Sequence, residues 1–238
     1  MTIAEEEEVA AALRTVVDGG RLRALEGPAR AGRASAPTGF EATVAGRPMS
    51  IGLETARHQD RLAFVEIHVP TPEQPFVMRL GPEASALGVP LATTGDAPFD
   101  EAIRCYATNE EILRGALDEE TRARLVCELD HGSVVAFGPK GLVYRHAVRD
   151  RSKLHVTVLA PIVRSAIALA ERATTAFQAA AQRASREGRA SAWRSAQADA
   201  RDRALGRRRS RRVRARVIAL FVALLVMAAA LVWLVGLR

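Results

Sequence analysis

Apolar and polar positions recur with two different periods along this chain, and the switches between those periods mark its elements. Residues 3–17 carry Leu13, Val16 and Val17 on one side and Glu5 to Glu8 at the start. That is the helical period, with acid placed to offset the positive end of the helix dipole, and Gly19-Gly20 ends it. A small-residue stretch through Gly27-Pro28 to Pro37 predicts a linker.

From Gly39 the period is two. Phe40, Ala42 and Val44 face one way, Ala45-Gly46-Arg47 turns the chain, and Met49, Ile51 and Leu53 continue the alternation, which predicts a hairpin. The run LAFVEIHV at 62–69 is apolar on much of both faces and predicts a central strand. Phe76, Met78 and Leu80 predict another, separated from it by the loop that Pro70, Pro72 and Pro75 enforce. Residues 81–98 read as irregular, and 99–107 as a strand with Phe99, Ile103 and Cys105 on one side.

The helical period returns at Thr108-Asn-Glu-Glu111, which has the form of a capping box. Ile112, Leu113, Ala116 and Leu117 supply an apolar face. Asp118 then caps a second short helix carrying Leu125, Val126 and Leu129. Residues 133–137, the turn Gly138-Pro-Lys-Gly141 and residues 142–146 form a second hairpin. Residues 154–160 fit either a strand or a helix, with Pro161 separating the options, and 162–181 predict a helix. The Ala- and Arg-rich stretch 182–216 reads as a solvated helical stalk, which would reach about 50 Å if helical throughout, or as a flexible linker.

The expected fold is α+β: a mainly antiparallel sheet with an inserted pair of short helices and a long C-terminal helix, followed by one transmembrane helix. The expected divisions are an acidic N-terminal helix at 1–19, a flexible linker at 20–38, a domain at 39–181, the stalk at 182–216 and a membrane span at 217–237. The expected core includes Phe40, Ile51, Phe64, Ile67, Phe99, Ile103, Leu113, Leu125 and Phe137.

The span rests on VIALFVALLVMAAALVWLVGL, 21 residues without a charge. At about 1.5 Å per residue such a helix crosses roughly 30 Å of hydrocarbon. Arg207, Arg208, Arg209, Arg211, Arg212, Arg214 and Arg216 precede it and Arg238 follows it, so the positive-inside rule places the preceding body in the cytoplasm of a bacterial inner membrane. Trp233 suits the far interface.

Charge agrees with this division. The chain carries a formal +7, but residues 182–238 hold 14 arginines against Glu187, Asp199 and Asp202, which leaves the body at −4. A basic block beside an apolar run points to anionic headgroups as partners. The arginines abut the bilayer and lack interleaved aromatics, which argues against nucleic acid. Positive charge is almost all arginine, with Lys140 and Lys153 the lysines, as codon bias in a GC-rich genome gives. The start MTIAEEEE is acidic where a secretory signal needs a basic region. Cys105 and Cys127 are too few for a disulfide framework and read as reduced core thiols of a cytosolic body.

Candidate chemistry is sparse. Asp130-His131 with Ser133 lacks a third group to orient a base and reads as a helix-end turn. The histidines at 58, 68, 131, 146 and 155 lack zinc-site spacing and read as surface or sheet residues. Gly132 to Lys140 lacks the order of a phosphate-binding loop. No catalytic residue, cofactor or metal is expected.

Phe99-Asp100, the segment Thr108-Asn-Glu-Glu-Ile-Leu-Arg-Gly-Ala-Leu117 and Asp118-Glu-Glu-Thr-Arg-Ala-Arg-Leu125, with the hairpin to 146, resemble a stretch of uncharacterised bacterial membrane-anchored proteins. The resemblance implies a membrane anchor and assigns no activity. The expected role is therefore a membrane-tethered cytoplasmic interaction or structural module, with a protein partner or a second copy as its target. The alternatives are an enzyme with dispersed residues, which a polar pocket of convergent titratable groups would favour, and binding of nucleic acid or anionic lipid through the arginine block.

The full chain is expected to resist extraction from membranes by alkaline carbonate, and truncation before Arg207 to release a soluble body. Release of the full chain by salt alone would leave surface attachment as the only tenable reading.

Overall fold

The computed structural model describes residues 3–26, 37–55, 62–86 and 88–204. The expected membrane span at 217–237, the seven topogenic arginines and Trp233 lie outside the described residues. Among the described residues, no helix is long and apolar enough to cross a membrane.

In chain order the elements are α1 (Ile3–Arg14), a 3-10 turn (Asp18–Gly20), β1 (Arg23–Glu26), β2 (Pro37–Val44), β3 (Arg47–Thr55), β4 (Leu62–Val69), β5 (Met78–Gly81), β6 (Leu91–Ala92), α2 (Ala97–Ala102), β7 (Arg104–Ala107), α3 (Glu110–Ala116), α4 (Glu119–Glu128), β8 (Val134–Gly138), β9 (Gly141–Ala147), a 3-10 turn (Arg151–Leu154) and α5 (Val156–Arg186). A further helix, α6, covers 190–204. The fold is α+β. Nine strands form one antiparallel sheet in the order β1-β2-β3-β4-β9-β8-β5-β7-β6.

Strand alternation decides which side chains the helices cover. On β4, Val65, Ile67 and Val69 are buried and Phe64, Glu66 and His68 are less so. Register carries the buried row across the sheet: Ile67 lies opposite Ile51 of β3 and Tyr144 of β9. Helix α5 packs on this face through Leu159, Val163, Ala166 and Ala170, with α1 and α3 beside it. Small residues allow the close approach, since a Cβ on Gly115 of α3 would stand 3.0 Å from the Ala176 Cβ. At the β8–β9 turn a Cβ on Gly141 would meet the Val69 carbonyl oxygen at 2.2 Å, so only glycine fits there.

Eight of the nine expected core residues are buried. Phe64 is the exception. Its parity on β4 puts it on the opposite face, where the Arg145 guanidinium lies 3.7 Å over its ring and also reaches Glu54.

Several other expectations are corrected. Phe99 belongs to α2 rather than to a strand, because the Asp96 carboxylate accepts from the Phe99 N–H and Pro98 sits in the first turn. The cap of α3 is Asn109, one residue later than expected, and the Thr108 hydroxyl instead accepts from the Val77 N–H. Val126 and Cys127 are exposed. Residues 154–160 enter a 3-10 turn and then α5, with Pro161 inside that helix.

The ends of the body also differ from the expected divisions. Val9 and Leu13 of α1 are in the core, Glu5 Oε2 accepts from the Leu62 N–H, and β1 pairs with β2, so residues 3–26 belong to the fold and not to an appendage and linker. Past α5, Gly188 takes a left-handed φ of 68° and α6 folds back. Trp193 packs on Phe177 with tilted rings whose centroids are 5.3 Å apart, Gln197 is buried and Arg201 pairs with Glu73. The described part of the expected stalk is thus the end of α5 and a packed return helix.

Leu13→Ala is therefore expected to destabilise the chain by about 2–5 kcal/mol, in the same range as Leu125→Ala, while Arg201→Ala changes little. Urea denaturation of the three variants checks this, and a neutral Leu13→Ala would detach α1 from the core.

Candidate functional site: a polar cleft between α4, β9 and α5

The alternation on β9 places two polar residues where the core should be apolar. Leu142, Tyr144 and His146 share the inward face, and Tyr144 and His146 are 0% and 1% exposed. Helix α4 ends against them with Glu128, whose half-buried carboxylate accepts through Oε1 from the Ser165 hydroxyl of α5 at 2.7 Å. The chain then turns through Gly132, with the Ser133 N–H bonded to the Asp130 carbonyl. The 3-10 turn before α5 is held by Asp150, which accepts from the Ser152 N–H, and it brings Lys153 Nζ within 2.5 Å of Asp130 Oδ2.

Between these elements lies a cleft of about 360 Å³, with Glu128, Asp130, His146 and Lys153 on its polar side and Val158 and Ile162 on its apolar side. Cys127 and Pro161 stand exposed at its edge.

Satisfaction of hydrogen bonds is incomplete here. The His146 ring lies beside the Lys153 backbone and the Tyr144 hydroxyl beside the Glu128 carboxylate, but neither pair is well aligned, which leaves both ring nitrogens, Glu128 Oε2 and the phenol without a partner of good geometry. Such groups cost about 1–3 kcal/mol each when buried without a partner.

Burial drives the titrations apart. It pushes the Glu128 carboxyl above its ordinary value, against the opposing pull of the Ser165 hydroxyl, Arg124 and the Tyr144 hydroxyl. It holds the His146 imidazole below its ordinary value, against the Lys153 backbone and the Asp130 charge. The Tyr144 phenol is raised by burial and then by the carboxylates of Glu128 and Asp130. Asp130 is lowered mainly by its bond from Lys153.

The expected topogenic residues do not enter this picture, since Arg207 to Arg216 and Trp233 are outside the described residues. Arginines of the described part of that stretch bind the body itself, Arg183 to Glu111 and Arg201 to Glu73. Asp130, His131 and Ser133 do not converge on one another. Asp130 holds Lys153, exposed His131 contacts Glu83, and the buried Ser133 hydroxyl accepts from the Ala147 N–H at 3.0 Å. That is a helix-end turn. Among the described residues, no three His, Cys, Asp or Glu side chains come together as metal ligands.

Sequence reasoning missed Glu128, Tyr144, His146 and Lys153 as a group. One signal was present: on the predicted strand 142–146, Tyr144 and His146 share parity with apolar Leu142.

No family model matches the chain, and no curated protein matches it. Among solved structures it is similar to the mycobacterial trehalose monomycolate transport factor A, at 12% identity and a TM-score of 0.47. That likeness covers 71% of this chain and 94% of the other. At this level it carries no argument about activity.

The cleft does predict a pH response. His146 has a lower pKa folded than unfolded, so the unfolded chain binds its proton first as pH falls through the ordinary histidine value near 6.5. Stability is lost on the acid side at up to about 1.4 kcal/mol per pH unit. Urea midpoints of the wild type and His146→Leu, compared at neutral pH and in mild acid, are expected to diverge in the variant's favour as pH falls. Glu128 acts oppositely but is common to both chains. A constant gap would remove His146 as the titrating group.

Proposed function

We propose that this chain is a single-pass membrane protein whose cytoplasmic body is a binding module, with the cleft at Glu128 and His146 as the place where it holds a ligand or a partner's polar group. The observation that carries this reading is His146, buried under a cleft with no well-aligned partner for either ring nitrogen and only the Lys153 backbone nearby. A fold keeps such a group at a cost in stability, and a bound molecule that supplies the missing hydrogen bonds recovers it.

The tether rests on the sequence. The uncharged run at 217–237 anchors the chain, and Arg207 to Arg216 orient it and add attraction to anionic headgroups.

Binding is favoured over turnover because the hydroxyls around the cleft are already engaged. Ser133 serves the Ala147 N–H, Ser165 serves Glu128, and Thr157 lies 2.9 Å from the His155 ring. Each of these contacts serves the fold: Ser133 and Ser165 tie elements together, and the His155–Thr157 pair is the N-cap of α5. A second reading, an enzyme that moves a proton, draws on one specific observation: Glu128 and His146 share the cleft and are displaced in opposite directions, the pattern of an acid and base pair.

Two measurements test the proposal. Protease added outside intact spheroplasts is expected to spare the body, and digestion would refute the cytoplasmic placement. His146→Leu, which removes the unmet polar atoms at similar volume, is expected to raise the melting temperature by a few degrees. A marked fall would make the imidazole a structural group and remove the cleft as a binding site.

A further inference from the structure

We propose that the cleft binds a protonated primary alkylamine, with the ammonium group donating to Glu128 Oε2 and to the His146 ring and the alkyl chain lying on Val158, Pro161 and Ile162. This inference rests on the binding reading given above and assigns the chemical class of its ligand.

The argument begins with the charges around the cleft. Two cations border it, and each already has a carboxylate: Lys153 Nζ is 2.5 Å from Asp130 Oδ2, and Arg124 Nη2 is 2.5 Å from Glu120 Oε1. Glu128 is the carboxylate left over. Its first oxygen takes a neutral hydroxyl, from Ser165, and beside its second lies another neutral hydroxyl, that of Tyr144, without good alignment, so no cation is bonded to it. A desolvated carboxylate without a counter-ion is costly, and an incoming cation removes that cost.

An anion would meet the opposite balance. It would have to draw Lys153 away from Asp130 while facing Glu128. A neutral amide could bond to the same atoms but would leave the Glu128 charge uncompensated.

Hydrogen-bond capacity agrees with charge. An ammonium group has three donors and no acceptor. The atoms here keep lone pairs free to accept: Glu128 Oε2, one nitrogen of the neutral His146 ring and the oxygen of the Tyr144 hydroxyl, whose proton faces Glu128. A guanidinium would present a broader planar fork that suits both oxygens of a carboxylate, whereas Glu128 Oε1 is already taken by Ser165.

Size limits the remainder of the ligand. About 360 Å³, with one wall of Val158, Pro161 and Ile162, suits a short aliphatic chain. The acceptor atoms sit beneath the cleft surface, so binding includes small rotamer shifts of the lining side chains, as is common at binding sites.

The test uses the full chain in detergent micelles, labelled with nitrogen-15 at histidine, with the His146 signals assigned by their loss in His146→Leu. Propylammonium chloride, sodium propionate and propionamide are titrated separately at constant ionic strength. Propylammonium is expected to shift the His146 ring signals to saturation, and Glu128→Gln to weaken it by about tenfold or more, the loss of one charge-assisted hydrogen bond. The histidine spectrum itself reports whether that variant is folded, and Ser165 can still donate to the Gln carbonyl. Saturation by propionate or propionamide in place of the amine, or an amine affinity unchanged in Glu128→Gln, would overturn the ligand class while leaving the cleft a binding site. If none of the three moves the His146 signals, both the ligand class and the binding reading fall.

Discussion

The packing of α5 on the two central strands is the constraint on which the rest of the molecule depends. Ile67 of β4 and Tyr144 of β9 lie side by side in register, and the helix covers them with residues that are mostly small or branched. Every other layer is placed relative to that contact. Helix α3 lies along α5, α1 closes the same layer, and α6 returns to it through Trp193 on Phe177. A nine-stranded sheet with one helical layer needs a long helix to span it, and the 31 residues of α5 provide that length.

The same contact creates the cleft. Where α5 begins, its first turns carry Thr157, Val158 and Pro161 instead of a continuous large apolar face, and α4 stops short at Glu128. The sheet beneath has inward positions to fill there, and the chain fills them with Tyr144 and His146. The site is therefore a local departure from core composition at the end of the main packing interface. That position gives it both properties that matter: walls rigid enough to hold geometry, and low dielectric that pushes Glu128 up and His146 down.

Much of the architecture was legible in the chain. Alternation at 40–53 and 62–69 located β2, β3 and β4. The Asp118 cap located α4, and Gly138 to Gly141 located the β8–β9 turn. Strand parity turns Phe64 away from the core, and Val126 is exposed because the buried side of α4 runs through Leu125 and on to Leu129. Phe99 falls in α2 because Asp96 and Pro98 start a helix there, and the alternation of Ile103 and Cys105 governs only the strand that follows. The packed roles of α1, β1 and α6 were not legible. Their segments are short or poor in large side chains, and what fixes them is a partner distant in sequence: Leu62 for Glu5, β2 for β1, Phe177 for Trp193.

The sequence by itself determined the fold class, the positions of most strands and the expectation of an anchored C-terminus, because each follows from local periodicity or from an uninterrupted apolar run. Only the tertiary structure decided the cleft. Glu128, Asp130, His146 and Lys153 sit on a helix end, a turn, a strand and a 3-10 turn, and their meeting depends on how α4 and α5 cross the sheet. Burial, which pushes Glu128 up and His146 down, is a property of that crossing and not of any residue's neighbours in the chain.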